Sequence, residues 1–201
     1  MRLNSKIVVL FLLVVLVACS KSRVVTSTAT NIEIKDRLVL KNKLVLNGNE
    51  GNWYYKDSLF NGYAVRYYKN NNLMEKVGFY NGKKHGLAKV WHDNGSLKTE
   101  YYYNKNTIVG TYKSWWPNGV LALSTTYLDG QVHGEEKRWY NTGQMAKLRQ
   151  LKQGKEEGMQ KAWLQNGKLY VNYEAKNGRI FGMLRANSCY RLEDEKVIMN
   201  K

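Results

Sequence analysis

The chain has 201 residues, enough for one ordinary domain or one repeat array with short flanks. Its 15 Tyr and 6 Trp offer ample ring surface to bury, while 17 Gly with a single Pro exclude a collagen-like chain and a Pro/Gly-rich linker. A formal charge of +16 raises the question of an anionic partner, nucleic acid included.

Residues 1–18 read as a signal peptide. Arg2 and Lys6 precede or open an uninterrupted apolar run, Ile7 to Val17, of 11 residues. That is the length of a secretory h-region and too short to cross a bilayer as a helix. A buried core segment is the alternative, disfavoured by the run's place at the extreme N-terminus beside two basic residues. The run ends Leu16-Val17-Ala18-Cys19-Ser20, which resembles the lipobox of bacterial lipoproteins. The resemblance implies a diacylglycerol on the Cys19 sulfur, cleavage before Cys19 and acylation of the new amine. Several acyl chains, at about 0.8 kcal/mol per buried CH₂, hold where one would be marginal. No acidic export signal follows at Ser20 and Lys21, so the expected place is the outer membrane, facing the periplasm.

Cleavage leaves 32 − 2 = 30 basic against 16 acidic residues, a mature charge of +14. An exported protein meets membranes, glycans and anionic envelope polymers, so no nucleic acid is expected; a charge that merely keeps the surface soluble is the plainer alternative. With Cys19 lipidated, Cys189 has no partner within the chain. Burial as a small hydrophobe is the expected role, with an intermolecular disulfide or a reactive thiol as alternatives.

Residues 19–31 are a polar Ser/Thr/Lys stretch, read as a tether. Residues 32–61 hold the alternating runs Leu38-Val39-Leu40 and Leu44-Val45-Leu46, then Trp53-Tyr54-Tyr55, read as capping strands that form a degenerate first unit. From residue 62 the chain repeats. Gly62, Gly86, Gly110, Gly134, Gly158 and Gly182 are each 24 residues apart. With that glycine as position 0, position 5 holds Tyr67, Trp91, Trp115, Trp139 and Trp163. Position 9 holds Asn71, Gly95, Gly119, Gly143 and Gly167, and position 11 holds Leu73, Leu97, Leu121, Met145 and Leu169. Two turn signals per unit predict two strands per unit, an all-β antiparallel meander over residues 62–181. Trp116-Pro117-Asn118-Gly119 fits a type I turn closed by a left-handed glycine, which pairs position 5 with position 11. A three-residue loop such as Asn81-Gly82-Lys83 would pair position 11 with position 5 of the next unit. Positions 5, 11 and 17 would then share one face, with the tryptophans as its core. Residues 182–201 read as a degenerate sixth unit and C-terminal cap, lacking the position-5 aromatic at Asn187.

These columns resemble the MORN repeat (membrane occupation and recognition nexus) in its bacterial variant form. The likeness lies in the leading Gly, the aromatic before an Asn-Gly turn, the Leu two residues after it, and the Tyr/Asn-Gly before the next unit, over residues 62–185. It implies a repeat-built antiparallel sheet that binds membranes or proteins. Some bacterial relatives are antitoxin-like, a role that suits an exported lipoprotein badly.

Position 3 holds Lys89, Lys113, Lys137 and Lys161, two residues before the tryptophan column. These residues are a candidate basic-aromatic track for an anionic glycan or lipid headgroup. The alternative has lysine stems lying over rings while the ammonium groups reach water. His85, His92 and His133 fall at two phases and are expected as ring contacts at strand ends. No Cys/His spacing suggests a metal, no cofactor is implied, and no nucleophile elbow or phosphate loop occurs. The expected function is a non-enzymatic envelope scaffold bound to a membrane through lipid, with a protein or anionic polymer as partner. Cys19→Ala is expected to leave an unprocessed or soluble species; partition with membranes after alkaline washing, with residues 1–18 removed, would contradict the anchor.

Overall fold

The computed structural model describes residues 32–183, 190–193 and 196–199. The signal-peptide run, Cys19, the tether, Asn187 and Cys189 lie outside the described residues. An antiparallel array of hairpins dominates: β1 Leu38–Leu40, β2 Val45–Asn47, β3 Asn52–Tyr55, β4 Ser58–Leu59, β5 Gly62–Tyr67, β6 Leu73–Tyr80, β7 Lys83–Trp91, β8 Leu97–Asn104, β9 Thr107–Trp115 and β10 Leu121–Leu128. It continues with β11 Gln131–Val132, β12 Gly134–Trp139, β13 Met145–Lys152, β14 Lys155–Trp163, β15 Leu169–Lys176, β16 Arg179–Met183, β17 Tyr190–Glu193 and β18 Lys196–Met199. From β5 to β16 each strand neighbours its successor in one sheet, apart from short β11, which pairs β10 beside β12.

Two turn chemistries alternate. The first is the expected three-residue loop: the His92 N–H donates to the Ser96 carbonyl, and Gly95 closes the turn at φ +83°. The second differs from expectation, because Tyr80 pairs with Lys83 across only two residues. Asn81 and Gly82 both adopt positive φ, 46° and 73°, as a type I′ turn requires. Asp129-Gly130 and Gln153-Gly154 repeat this geometry. Its twist suits the right-handed strands better than a wider loop would.

Two register shifts per unit complete the correction. Trp91 pairs with Leu97 but Val90 with Thr99, so Lys98 is an extra residue. Phe79 pairs with Lys84 but Val77 with Ala88, which absorbs two more residues around Gly86 at φ +75°. A bulge changes which residues share a face. Position 17 therefore lies with positions 2, 13 and 15 rather than with the tryptophans. From Gly62 to Gly158 the facing partner of each leading glycine is position 17: Gly86 opposes Tyr103, and Gly110 opposes Tyr127.

The core follows this corrected parity. Ala64, Val77, Phe79 and Ala88 are buried, whereas Trp91, Trp115, Trp139 and Trp163 are only half-buried. Residues 32–61 complete the core at the start of the array. There β1 joins the edge by pairing in parallel with β5, and β2–β4 form a separate small antiparallel sheet. A 3-10 turn, Lys41–Lys43, connects β1 to β2. Val39, Leu44 and Phe60 pack with Val77 and Phe79, and the Phe60 and Phe79 rings lie 5.5 Å apart. Trp53 meets Phe79 edge-on at 6.0 Å. The Trp53 N–H donates to the Gly82 carbonyl, and Asn106 donates to the Gly51 carbonyl, so this cap is tied to two consecutive type I′ turns.

Gly119 sits at φ +82° with no atom within 4 Å of an added Cβ, so substitution there strains the backbone alone. Gly119→Ala is expected to cost about 1–2 kcal/mol. Gly48→Ala, where φ is ordinary and the space is also open, should change stability by less than about 0.5 kcal/mol. Equal denaturant midpoints for the two variants would refute the turn assignment.

Candidate functional surface

Positions 2 and 15 pair within units and between them, forming one row across the sheet. It runs Ala64–Val77–Ala88–Tyr101, then Tyr112–Thr125, then Glu136–Arg149–Gln160–Tyr173. The backbone is the same along the row, but its chemistry changes twice. The apolar start lies under the cap. The middle is aromatic: Tyr101 stacks on Tyr112 at 5.2 Å and 26°, and Tyr112 meets Tyr127 at 5.9 Å. Burial, with Tyr103 beside it, pushes the Tyr101 hydroxyl well above the usual phenol range.

The end of the row is ionic. The Glu136 carboxylate is only 6% exposed and accepts from Arg138 Nε at 3.0 Å and Arg149 Nη1 at 3.3 Å. Arg149 also reaches Glu156 through Nη2 at 3.2 Å, and the Tyr173 hydroxyl donates to Glu156 at 2.7 Å. Burial and this bond to a carboxylate push the Tyr173 phenol up to about 12. A buried carboxylate persists where cations and donors satisfy it. Glu75, near the cap, is built alike, with Lys41 at 3.0 Å and Arg66 at 2.8 Å.

Two pockets adjoin these clusters. One of about 520 Å³ lies between the cap and the first hairpin, lined by Leu40, Lys41, Trp53, Arg66, Tyr67 and Met74 among others. The second, about 250 Å³, lies against β13, β14 and β15 at the ionic end.

A second row joins positions 3 and 14 and brings the four sequence-selected lysines into line. It runs Lys76–Lys89–Glu100–Lys113–Ser124–Lys137–Leu148–Lys161. Directly paired residues share a face, and alternation sets this row on the side opposite Ala64, Val77 and Ala88. Lys89 pairs with Glu100 at 3.0 Å, and Lys137 forms an ion pair with Glu135. These carboxylates offset part of the positive charge along the lysines. Each tryptophan faces the position-11 residue of its own hairpin, as Trp115 does Leu121.

Sequence inspection missed the device that staples consecutive units at the three-residue turns. Position-6 side chains reach the position-5 carbonyl of the next unit: Tyr68 to Trp91, Trp116 to Trp139 and Tyr140 to Trp163. His92 holds the same place, with Nε2 3.0 Å from the Trp115 carbonyl. Asn70, Asn94 and Asn118 add amide bonds from position 8 to the following turn. The signal was present as a polar-tipped ring before each turn, but a tyrosine, a histidine and a tryptophan do not look like one column. His85 lies beside the Tyr80 ring, with centroids 6.3 Å apart. Among the described residues no cluster of His, Cys, Asp and Glu is arranged to hold a metal.

Residues 84–105, 108–129 and 132–153 match the family model of the MORN repeat variant, three consecutive units in register with the hairpins. No curated protein matches the chain. Repeats of this family are commonly membrane- or protein-binding scaffolds and generally not enzymes.

Tyr140→Phe removes one staple and leaves the ring. The expected loss is about 1 kcal/mol by denaturant unfolding. Tyr102→Phe serves as the comparison, since that side chain is 46% exposed; equal effects from the two would argue against the staple.

Proposed function

We propose that this chain is an exported lipoprotein, tethered by acyl chains on Cys19, whose repeat sheet holds a partner protein at an envelope membrane. The supporting observation is the half-buried row of Tyr101, Tyr112 and Tyr127, between the capped apolar start and the ionic end. Tyrosines that are rigid in neighbour contact but still reachable suit a protein interface. They bring large amphipathic area at little entropic cost. The charged residues beyond them would set register and on-rate more than affinity. A polymer track along the opposite face has less support, because Glu100 and Glu135 already pair with two of its four lysines.

The test is a lipid-preserving capture with the full chain, comparing the parent with the double variant Tyr112→Ser/Tyr127→Ser and with Tyr102→Ser. The parent and Tyr102→Ser should retain one stoichiometric protein, and the double variant at least tenfold less, with cooperative melting preserved in all three. Equal capture by the double variant would overturn the interface. Recovery only of salt-released polymer or lipid would overturn the protein partner.

A further inference from the structure

We infer that an uncharged window on one face of β7–β10 binds a proline-rich segment of the partner protein, laid across the strands in the polyproline II conformation. The inference rests on the reading of Tyr101, Tyr112 and Tyr127 as a protein interface, and names the segment that this surface takes.

Charge defines the window. Positions 4 and 13 form a row that runs Glu75–Val90–Thr99–Ser114–Leu123–Arg138, with charge only at its ends. Both end charges are already paired, Glu75 with Lys41 and Arg66, and Arg138 with Glu136. Beside this row, Ala88 opposes Tyr101, Tyr101 stacks on Tyr112, and Tyr112 opposes Thr125, again without a charge. Lys84 borders the window, with its ammonium 5.1 Å from the centroid of the Tyr103 ring. The opposite face of the same four strands carries Lys89, Glu100 and Lys113. A charged segment laid on the window would lose water without gaining an ionic partner, so electrostatic matching selects an uncharged one.

The backbone conformation of the segment follows from what the window offers. Strands β7 to β10 are interior, each paired on both sides, so there is no edge for an added strand. Recognition of a phosphorylated or acidic motif needs clustered arginines, which the window lacks. A helix satisfies its own backbone and fits an apolar groove, whereas a polyproline II segment has no internal hydrogen bonds and presents carbonyls that need donors. The window supplies donors. Tyr101 bonds to Tyr103 and Tyr112 bonds to Thr99, and all four side chains are half-buried. Each pair has two hydroxyl hydrogens and spends one, which leaves one to donate. Proline suits such a surface further, because it brings no N–H in search of an acceptor.

The repeat spacing matches as well. Tyr103 on β8 and Tyr127 on β10 hold the same position in consecutive units, two strands or about 9.6 Å apart. Three residues of polyproline II rise about 9.3 Å, so residues i and i+3 of the segment meet equivalent places on the sheet. From Glu75 on β6 to Arg138 on β12 is five strand steps, about 24 Å, the length of about eight such residues. A neutral glycan fits less well. Tyr101 and Tyr112 turn their ring faces to each other at 26°, so they form a ridge rather than an open platform for a sugar.

The experiment is fluorescence anisotropy of labelled decaproline titrated with the full chain, beside a flexible uncharged Gly-Ser decapeptide and with maltohexaose as competitor. Decaproline should bind at least tenfold more tightly than the Gly-Ser peptide, and equally well at low and high salt. Leu123→Lys, which sets a charge inside the window, and the double variant Tyr112→Ser/Tyr127→Ser should each weaken decaproline at least fivefold. Tyr102→Ser, on the opposite face, should bind like the parent. If the double variant no longer melts cooperatively, Leu123→Lys and Tyr112→Phe carry the test. Equal affinity for the two peptides, binding lost at high salt, displacement by maltohexaose, or carrying variants that bind like the parent would each overturn the site. A dimer that Leu123→Lys dissociates would put a second copy of the chain on the window and overturn it too. Tyrosine-dependent capture of a protein without decaproline binding would overturn this inference alone; decaproline binding by a chain that captures no protein would overturn the envelope-partner reading alone.

Discussion

The array depends on backbone that turns left-handed at fixed intervals. Each full unit needs a glycine or asparagine near the end of the three-residue loop, two positive-φ residues in the type I′ turn, and the leading glycine at the bulge between units. Elsewhere L-residues avoid this region because Cβ crowds the backbone. The sequence meets the demand with Gly, Asn and Asp at most of these places, and with Lys56, Lys105 and Gln153 where a turn imposes it. Strand pairing then follows from turn geometry, and the side-chain rows follow from pairing.

A strict backbone period allows side chains to vary independently along a row. Position 2 passes from Ala to Tyr to Glu to Gln without disturbing the hairpins. The hydrophobic core consequently concentrates where β1–β4 cover the sheet, with Phe60 and Phe79 at its centre. Farther along, stacking between tyrosines and charge-assisted bonds around Glu136 take over from aliphatic burial. Each buried carboxylate is met by two cations, which is the condition under which such groups persist away from water. The face is thus graded from apolar packing to aromatic and ionic contacts along one continuous sheet.

The staples at the three-residue turns contribute to order in a second direction. Hydrogen bonds within strands align neighbouring residues but leave the hairpin tips dependent on their own loops. Tyr68, His92, Trp116 and Tyr140 fasten each tip to the next unit, and the position-8 amides reinforce them. Three unlike side chains share one task because each carries a hydrogen-bond donor on a ring that extends along the sheet edge.

From residues alone, the 24-residue period, the all-β class, two strands per unit and the pairing of each tryptophan with its own Leu or Met were legible. They rest on short-range chemistry: Asn-Gly turns demand particular φ values, and an intervening loop of known length sets the nearest pairs. The buried face was not legible. The extra residue at Lys98 and its equivalents, and the two absorbed around Gly86, shift the alternation without a distinctive residue type at every bulge. Reading parity straight through them assigned the core to tryptophans that the structure leaves half-buried. Nor was it legible that β1 would pair in parallel with β5 while β2–β4 form a sheet of their own, or that Arg149, Glu136, Glu156 and Tyr173 would meet. Those contacts join strands whose side chains have no local relation, and only the accumulated register of the folded sheet places them together.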